Sequence, residues 1–329
     1  MEVVVQRRDI LKLAGTAAFT GVMQGCDRLV VIEPRIDFGL DPITPNDQFY
    51  KYSFGPKPDL DVTTHQTVIA HEDEELARFD LSFLESLQLM DKEHTLECIG
   101  TNPRVQRIGN AVWGGLPLID VLDALGVSVP AGAVGLRLVG ADTYHAGIPI
   151  EDLLQGPVWL VWRMNGEPLP FLHGAPARLL VPGRYGMKNL KWLTEIAFVD
   201  EAHRSYWTTR GWSEPAPYLP NTLIVNPLDG VAVVPSESIR FVGTAFAGED
   251  PVVSVEVSVD GGPWQAASLD YAPGPAIWAL WSWDWTPQPG SHTVQVRCTT
   301  ASGAASVEEP GGTDPFQGYD GSMQITVLA

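Results

Sequence analysis

The chain has 329 residues, 45% of them hydrophobic and 19% charged, which suits one large or two ordinary globular domains rather than a disordered or membrane-spanning protein. Its 21 basic and 40 acidic residues leave a net charge of -19, and a surface that negative repels phosphate backbones, so nucleic acid is excluded as a partner. Cysteines at 26, 98 and 298 are too few and too scattered for a disulfide framework or a tetrahedral zinc site. No GxSxG, GxxxxGK, CxxCH or strand-following GxGxxG occurs, and His71-Glu72 lacks the second histidine of HExxH. Common hydrolase, nucleotide and c-type haem chemistries fall away.

Residues 6 to 26, QRRDILKLAGTAAFTGVMQGC, place Arg7 and Arg8 before Ile10, Leu11 and Lys12 and then an uncharged run of small and apolar residues. The segment resembles a twin-arginine export signal, an ordinary amphipathic first helix being the alternative reading. That route carries proteins already folded, which suits an enzyme that takes up a cofactor before leaving the cytoplasm. Met23-Gln24-Gly25-Cys26 is similar to a lipobox, in which a lipid on Cys26 would attach the chain to a membrane; simple release is the alternative.

The region from 27 to 218 is expected to be an α+β domain with broken, mixed sheets. Leu118, Ile119, Leu122 and Leu125 within 115–126 predict a short amphipathic helix stopped by Gly126, with weaker helices over Asp80 to Gln88 and Ile150 to Leu154. Ala177 to Val181 and Thr194 to Val199 read as strands. Thr95-Leu96-Glu97-Cys98-Ile99-Gly100 reads as a strand end entering a loop, where Cys98 is either an ordinary buried thiol or a soft metal ligand.

Residues 178 to 191, RLLVPGRYGMKNLK, carry Arg178, Arg184, Lys188 and Lys191 with no acidic residue among them. In a partly buried loop such cations are costly unless paired, and a bound anion would resolve the cost, with His173 as a further donor. Prolines 215, 217 and 220 place a domain boundary near 218. Beyond it, Val253, Val255, Val257 and Val259 alternate with polar residues before an Asp260-Gly261-Gly262 turn, and Trp281, Trp283 and Trp285 alternate with Ser282 and Asp284. Residues 219–329 are therefore expected to form an all-β immunoglobulin-like sandwich with the tryptophans in its core and Cys298 as a buried thiol. With 12 acidic residues against Arg240 and Arg297, that domain is read as structural or interface-forming.

Several ordered words then match a family. ITPNDQFY (43–50), LECIG (96–100), IGNAVWGGLPL (108–118), MNGEPLP (164–170), HGAPAR (173–178) and PGRYGMKNLKWL (182–193) resemble the sulfite oxidase family of molybdopterin enzymes, and VSVDGGPWQAA, WSWDW and PGSHTVQVRC resemble its immunoglobulin-like dimerisation domain. The resemblance implies one molybdenum-molybdopterin per chain and makes Cys98 the protein thiolate on the metal. It puts His173, Arg178 and Lys191 near the pterin phosphate, with Arg184 and Gly186 in the same cofactor-binding loop. Lys188 stands where sulfite-oxidising members carry a basic substrate-site residue, and Arg104, six beyond the cysteine, is given a similar role, although CIGTNPR departs from the family's CAGNRR.

Two further departures concern specificity. Tyr52 falls where sulfite oxidases place a substrate-binding arginine, and Trp212 where they place the active-site tyrosine. An aromatic in each place suits a less charged or larger substrate than sulfite, such as a sulfoxide, an S- or N-oxide or an organic sulfur compound. The expected protein is thus an exported oxygen-atom-transfer enzyme that uses a separate cytochrome or quinone-linked electron carrier and dimerises through its C-terminal domain. A true sulfite dehydrogenase is the nearer alternative. A cofactor-free exported binding or scaffold lipoprotein is the more distant one.

Overall fold

The structure, a computed structural model, describes residues 40–156, 158–310, 312, 314 and 316–329. The export segment and Cys26 lie outside the described residues. Ten strands build the first domain: β1 (Gln66–His71), β2 (Glu74–Asp80), β3 (Met90–Glu97), β4 (Ile108–Pro117), β5 (Gly135–Gly140), β6 (His145–Pro149), β7 (Trp159–Met164), β8 (Glu167–Pro168), β9 (Arg178–Leu180) and β10 (Leu193–Val199). One sheet runs β2-β1-β10-β5-β6, with β1 and β10 parallel and the other pairs antiparallel. The other runs β3-β4-β7-β8, with β9 added to β7. Between the two sheets Ile69, Leu138 and Ile196 meet Leu160, Trp162 and Leu179 in one buried core.

Helix is scarcer than the sequence pattern suggests. Among the described residues the three α-helices, α1 (Leu81–Ser86), α2 (Leu118–Ala124) and α3 (Ile150–Gln155), have six, seven and six residues. The Asp80 carboxylate caps α1 by accepting from the Phe83 amide at 3.0 Å, and Gly126, at φ +72°, ends the turn that follows α2. Residues 115–117, expected within the second helix, instead finish β4. The ladder shifts register between Gly114 and Gly115, and a Cβ on Gly115 would collide with the Leu160 carbonyl oxygen of β7. The glycines of IGNAVWGG therefore serve strand approach.

The second domain contains β11 (Asn221–Asn226), β12 (Val231–Ala232), β13 (Ile239–Phe246), β14 (Val252–Val259), β15 (Gln265–Ala266), β16 (Ser268–Tyr271), β17 (Ala279–Trp285), β18 (Ser291–Thr300), β19 (Val307–Pro310) and β20 (Gly321–Leu328). Its sheets, β11-β13-β17-β16 and β12-β20-β18-β14-β15, face each other over a core holding Trp281, Trp283 and Cys298. Trp281 donates its indole N–H to Thr222 Oγ1 at 3.1 Å, so the buried ring leaves no orphan donor. Val253 breaks the expected alternation: a bulge between Val252 and Ser254 turns its side chain outward.

The sandwich also covers an edge of the first domain. β3 has β4 on one side only, and its other side meets the second domain, where the Thr95 amide donates to the Ala276 carbonyl and Thr95 Oγ1 accepts from the Trp278 amide, both at 2.9 Å. Asn221 donates to the buried Glu97 carboxyl at 3.1 Å, which burial pushes up to about 8. An unpaired edge is thus closed within the chain, and the strand it closes delivers Cys98.

Candidate active site

Cys98 follows β3 at the wall of a cavity of about 340 Å³. The chain then folds back on itself. Asn102 and Val105 bridge, the Asn102 side chain accepts from the Arg104 and Val105 amides, and the Cys98 amide donates to the Arg107 carbonyl at 2.9 Å. This hairpin puts Arg107 opposite Cys98 and leaves Arg104 exposed at the tip, away from the cavity. Arg104 is therefore replaced by Arg107 as the arginine beside the thiol. The Asn-Pro turn signal in TNPR carries that geometry, since a turn at 102–105 makes 98 and 107 partners.

A Cβ built on Gly100 would lie 3.6 Å from Nη1 of Arg107 and 3.9 Å from Sγ of Cys98, so guanidinium and thiol flank the same small space. Burial pushes the Cys98 thiol up, and the Gly100 amide and Arg107 pull it back. Opposite the backbone of Cys98 lies Gly186, where a Cβ would stand 3.0 Å from Tyr50 Oη and 3.3 Å from the Glu97 carbonyl.

His173, Arg178 and Lys191 line the same cavity. Arg178, 6% exposed on β9, donates from Nη1 to the His173 carbonyl and from Nη2 to the Asn189 carbonyl, each at 3.0 Å, while its Nε has no partner. Burial brings its guanidinium down to about 10. Lys191 donates to Ser53 Oγ at 3.0 Å and to the Leu172 carbonyl at 3.1 Å, and burial together with nearby Arg178 lowers it to about 7. His173, lowered by burial to about 4, stays neutral at pH 7 and donates from Nε2 to the Asn46 carbonyl at 2.7 Å. Among the described residues neither Arg178 nor Lys191 has a carboxylate within ion-pair distance. Two desolvated cations side by side form a seat for an anion.

The remaining two cations of the basic run lie elsewhere. Arg184 leaves the turn at Gly183 and grips Asp152 with Nε–Oδ2 at 3.1 Å and Nη2–Oδ1 at 2.8 Å. Lys188, 2% exposed, points behind the cavity wall and donates to Ser205 Oγ at 2.6 Å, the Gly147 carbonyl at 2.8 Å and Glu214 at 2.9 Å. Its place in a one-turn 3₁₀ helix, Gly186–Lys188, turns Gly186 and Met187 toward the cavity and Lys188 away. Neither residue reaches the cavity, and their acidic partners come from distant sequence. Tyr52 and Trp212 do line it. So do Phe54, Asp142, Tyr144 and Trp207, none of which the sequence reading singled out.

Residues 54–207 match the family described as oxidoreductase molybdopterin binding domain, and residues 220–296 match the bacterial Ig domain family. The chain belongs to the sulfite oxidase family of molybdopterin oxidoreductases. Sulfite oxidase of Arabidopsis thaliana is 28% identical over 331 residues, covering 84% of each chain. Mitochondrial sulfite oxidase of Homo sapiens is 28% identical over 312 residues, 81% of this chain and 57% of that one; that of Mus musculus is 30% identical over 285 residues, 73% and 52%. This chain thus spans little more than half the length of those mammalian relatives. The fold is that of the sulfane dehydrogenase SoxCD from Paracoccus pantotrophus, with a TM-score of 0.77 at 22% identity over 87% of this chain and 81% of the other.

The residues present fit the family's cofactor. The orphaned Nε of buried Arg178 and the depressed Lys191 both call for an anion such as the pterin phosphate, and the free Cys98 thiol in the same cavity is a soft donor for the metal.

Proposed function

We propose that the chain is an exported oxidoreductase that transfers an oxygen atom between water and a small sulfur- or nitrogen-containing substrate. The observation that carries this reading is one cavity lined by a free thiol and by two cations that no carboxylate pairs among the described residues. Molybdenum-molybdopterin supplies the two-electron oxygen-atom transfer when bound. Cys98 would be its protein ligand and Arg178 and Lys191 would hold its phosphate, while neutral His173, whose one N–H is taken by the Asn46 carbonyl, would have no donor left for the phosphate and braces the loop instead. Tyr52, Phe54, Trp207 and Trp212 add aromatic wall to the same cavity. Sulfite oxidation is the second reading, supported by the identity to sulfite oxidases of animals and plants.

Electrons are assigned to a separate cytochrome-type carrier, export to the twin-arginine segment and dimerisation to the sandwich domain. The test is elemental and pterin analysis of exported protein from a molybdenum-replete host, beside a Cys98→Ser variant prepared identically. About one molybdenum per chain, with the variant losing turnover and its sulfur-to-metal absorption, is the expected result. A well-folded protein without metal or pterin would leave a binding or scaffold role.

A further inference from the structure

With Arg178 and Lys191 committed to the phosphate and His173 neutral, the charge left for a substrate beside Cys98 is small. Arg107 is the cation there, its guanidinium centred 5.0 Å over the Tyr52 ring, and no ion pair engages it among the described residues. The same cavity contains the half-buried carboxyl of Asp142, which burial pushes up and Lys191 pulls back. A single free cation is a poor match for a compact dianion, which needs several converging donors once desolvated.

The rest of the wall is aromatic. Trp207 and Trp212 meet edge to face at 6.2 Å, and Phe54 lies edge-on to Trp207 at 6.3 Å. Trp212 in turn packs against Phe316 at 5.2 Å, so the second domain backs this surface. Ring faces of this kind accept a flat or apolar carbon substituent.

Resting on the reading of the site as an oxygen-transfer centre, we propose that its substrate is a singly charged organic sulfur anion, an aryl or alkyl sulfinate, held by Arg107 through its oxygens and by Trp207 and Trp212 through its carbon group. The reaction balances as RSO2⁻ + H2O giving RSO3⁻ with two protons and two electrons. The sulfur lone pair becomes the new S–O bond, the oxygen derives from water, and the electrons leave singly to an external haem-type carrier, for which ferricyanide substitutes in the assay.

In holoenzyme of measured molybdenum and pterin content, kcat/KM for benzenesulfinate is expected at least about tenfold above that for sulfite, and Arg107→Gln should lower it by about 100-fold. Trp212→Ala should raise KM for benzenesulfinate by a larger factor than KM for methanesulfinate, whose carbon group covers less of the ring. Calorimetry without an acceptor adds a readout independent of turnover: benzenesulfonate should bind more tightly than sulfate, and Arg107→Gln should weaken it. Sulfite as the better substrate, sulfate as the tighter ligand, or benzenesulfonate binding indifferent to Arg107→Gln would each overturn the proposal. A loaded protein that turns over sulfite or a sulfoxide but no sulfinate preserves the oxygen-transfer reading and removes this one, whereas a protein lacking metal and pterin fails the broader reading itself.

Discussion

Arg178 and Lys191 bracket Arg184 and Lys188 in a single basic stretch, yet the two pairs live in opposite electrostatic circumstances. Arg184 and Lys188 found carboxylates in Asp152 and Glu214; Arg178 and Lys191 are hydrogen-bonded only to carbonyls and a hydroxyl, with the Asp142 carboxyl acting on Lys191 from beyond ion-pair distance. A run of like charge in sequence is thus no single feature. The inner pair ties loops together, and the outer pair keeps a demand for charge that a ligand can meet.

That division is most sharply tested at Arg178. Arg178→Met should reduce cofactor retention by about 100-fold, measured as bound pterin after dialysis, because a charge-assisted contact to phosphate is lost in a desolvated site. The cofactor-free fold should be no less stable in urea, since a buried cation without a counter-charge is removed. A clear loss of apo stability would put Arg178 in the same class as Lys188. Lys188→Met should behave in reverse: about 2 kcal/mol lost in denaturant unfolding, as Ser205 and Glu214 lose a charged donor, with pterin still retained.

Lys191 separates the pairs by pH. Burial beside Arg178 holds it at about 7 without an anion, so a phosphate group arriving above that pH must bring a proton with it. Affinity should fall as pH rises above about 7, approaching tenfold per unit, and calorimetry at pH 8.5 in buffers of different ionisation enthalpy should register proton uptake. The sign for the cofactor-free fold is opposite: stability rises with pH above about 7, because the unfolded lysine still binds the proton that the folded one has released. A pH-independent affinity would mean that Lys191 is charged throughout. The smallest effect belongs to Arg184→Gln, where a partly exposed pair with Asp152 should cost no more than about 1 kcal/mol in thermal unfolding and leave cofactor content unchanged.

Much of this arrangement was legible in residue order, and the parts that were not share a cause. Cys98 at a strand end, the cations of the 178–191 run and the alternating tryptophans of β17 are local signals, and local hydrogen bonding and period-2 burial preserve them. What residue order hid depends on partners remote in sequence. Nothing near Lys188 announces Glu214, and nothing near Trp207 or Tyr144 announces that both face the thiol. Arg107 lay between these cases, since counting residues from Cys98 favoured Arg104 and only the turn at Asn102 reverses the choice. The helix expected over 115–126 shrank for a tertiary reason as well, strand contacts having claimed the glycines before α2, whereas the one expected over Ile150 to Leu154 formed in full.

The seam where the sandwich meets β3 has a consequence for how the molecule comes apart. Ala276, Trp278 and Asn221 close the free edge of the strand that ends at Cys98, and Gly318 lies so close to Tyr185 that any side chain there would strike the ring. Release of the second domain would strand Glu97 and bare the edge of the strand that ends at Cys98 in the same event. The proline-rich boundary near 218 is therefore a joint in the sequence without being a joint in the energetics. Heating should unmake both domains in a single cooperative step, and a fragment cut at that joint would lose the cover on the strand that ends at its thiol.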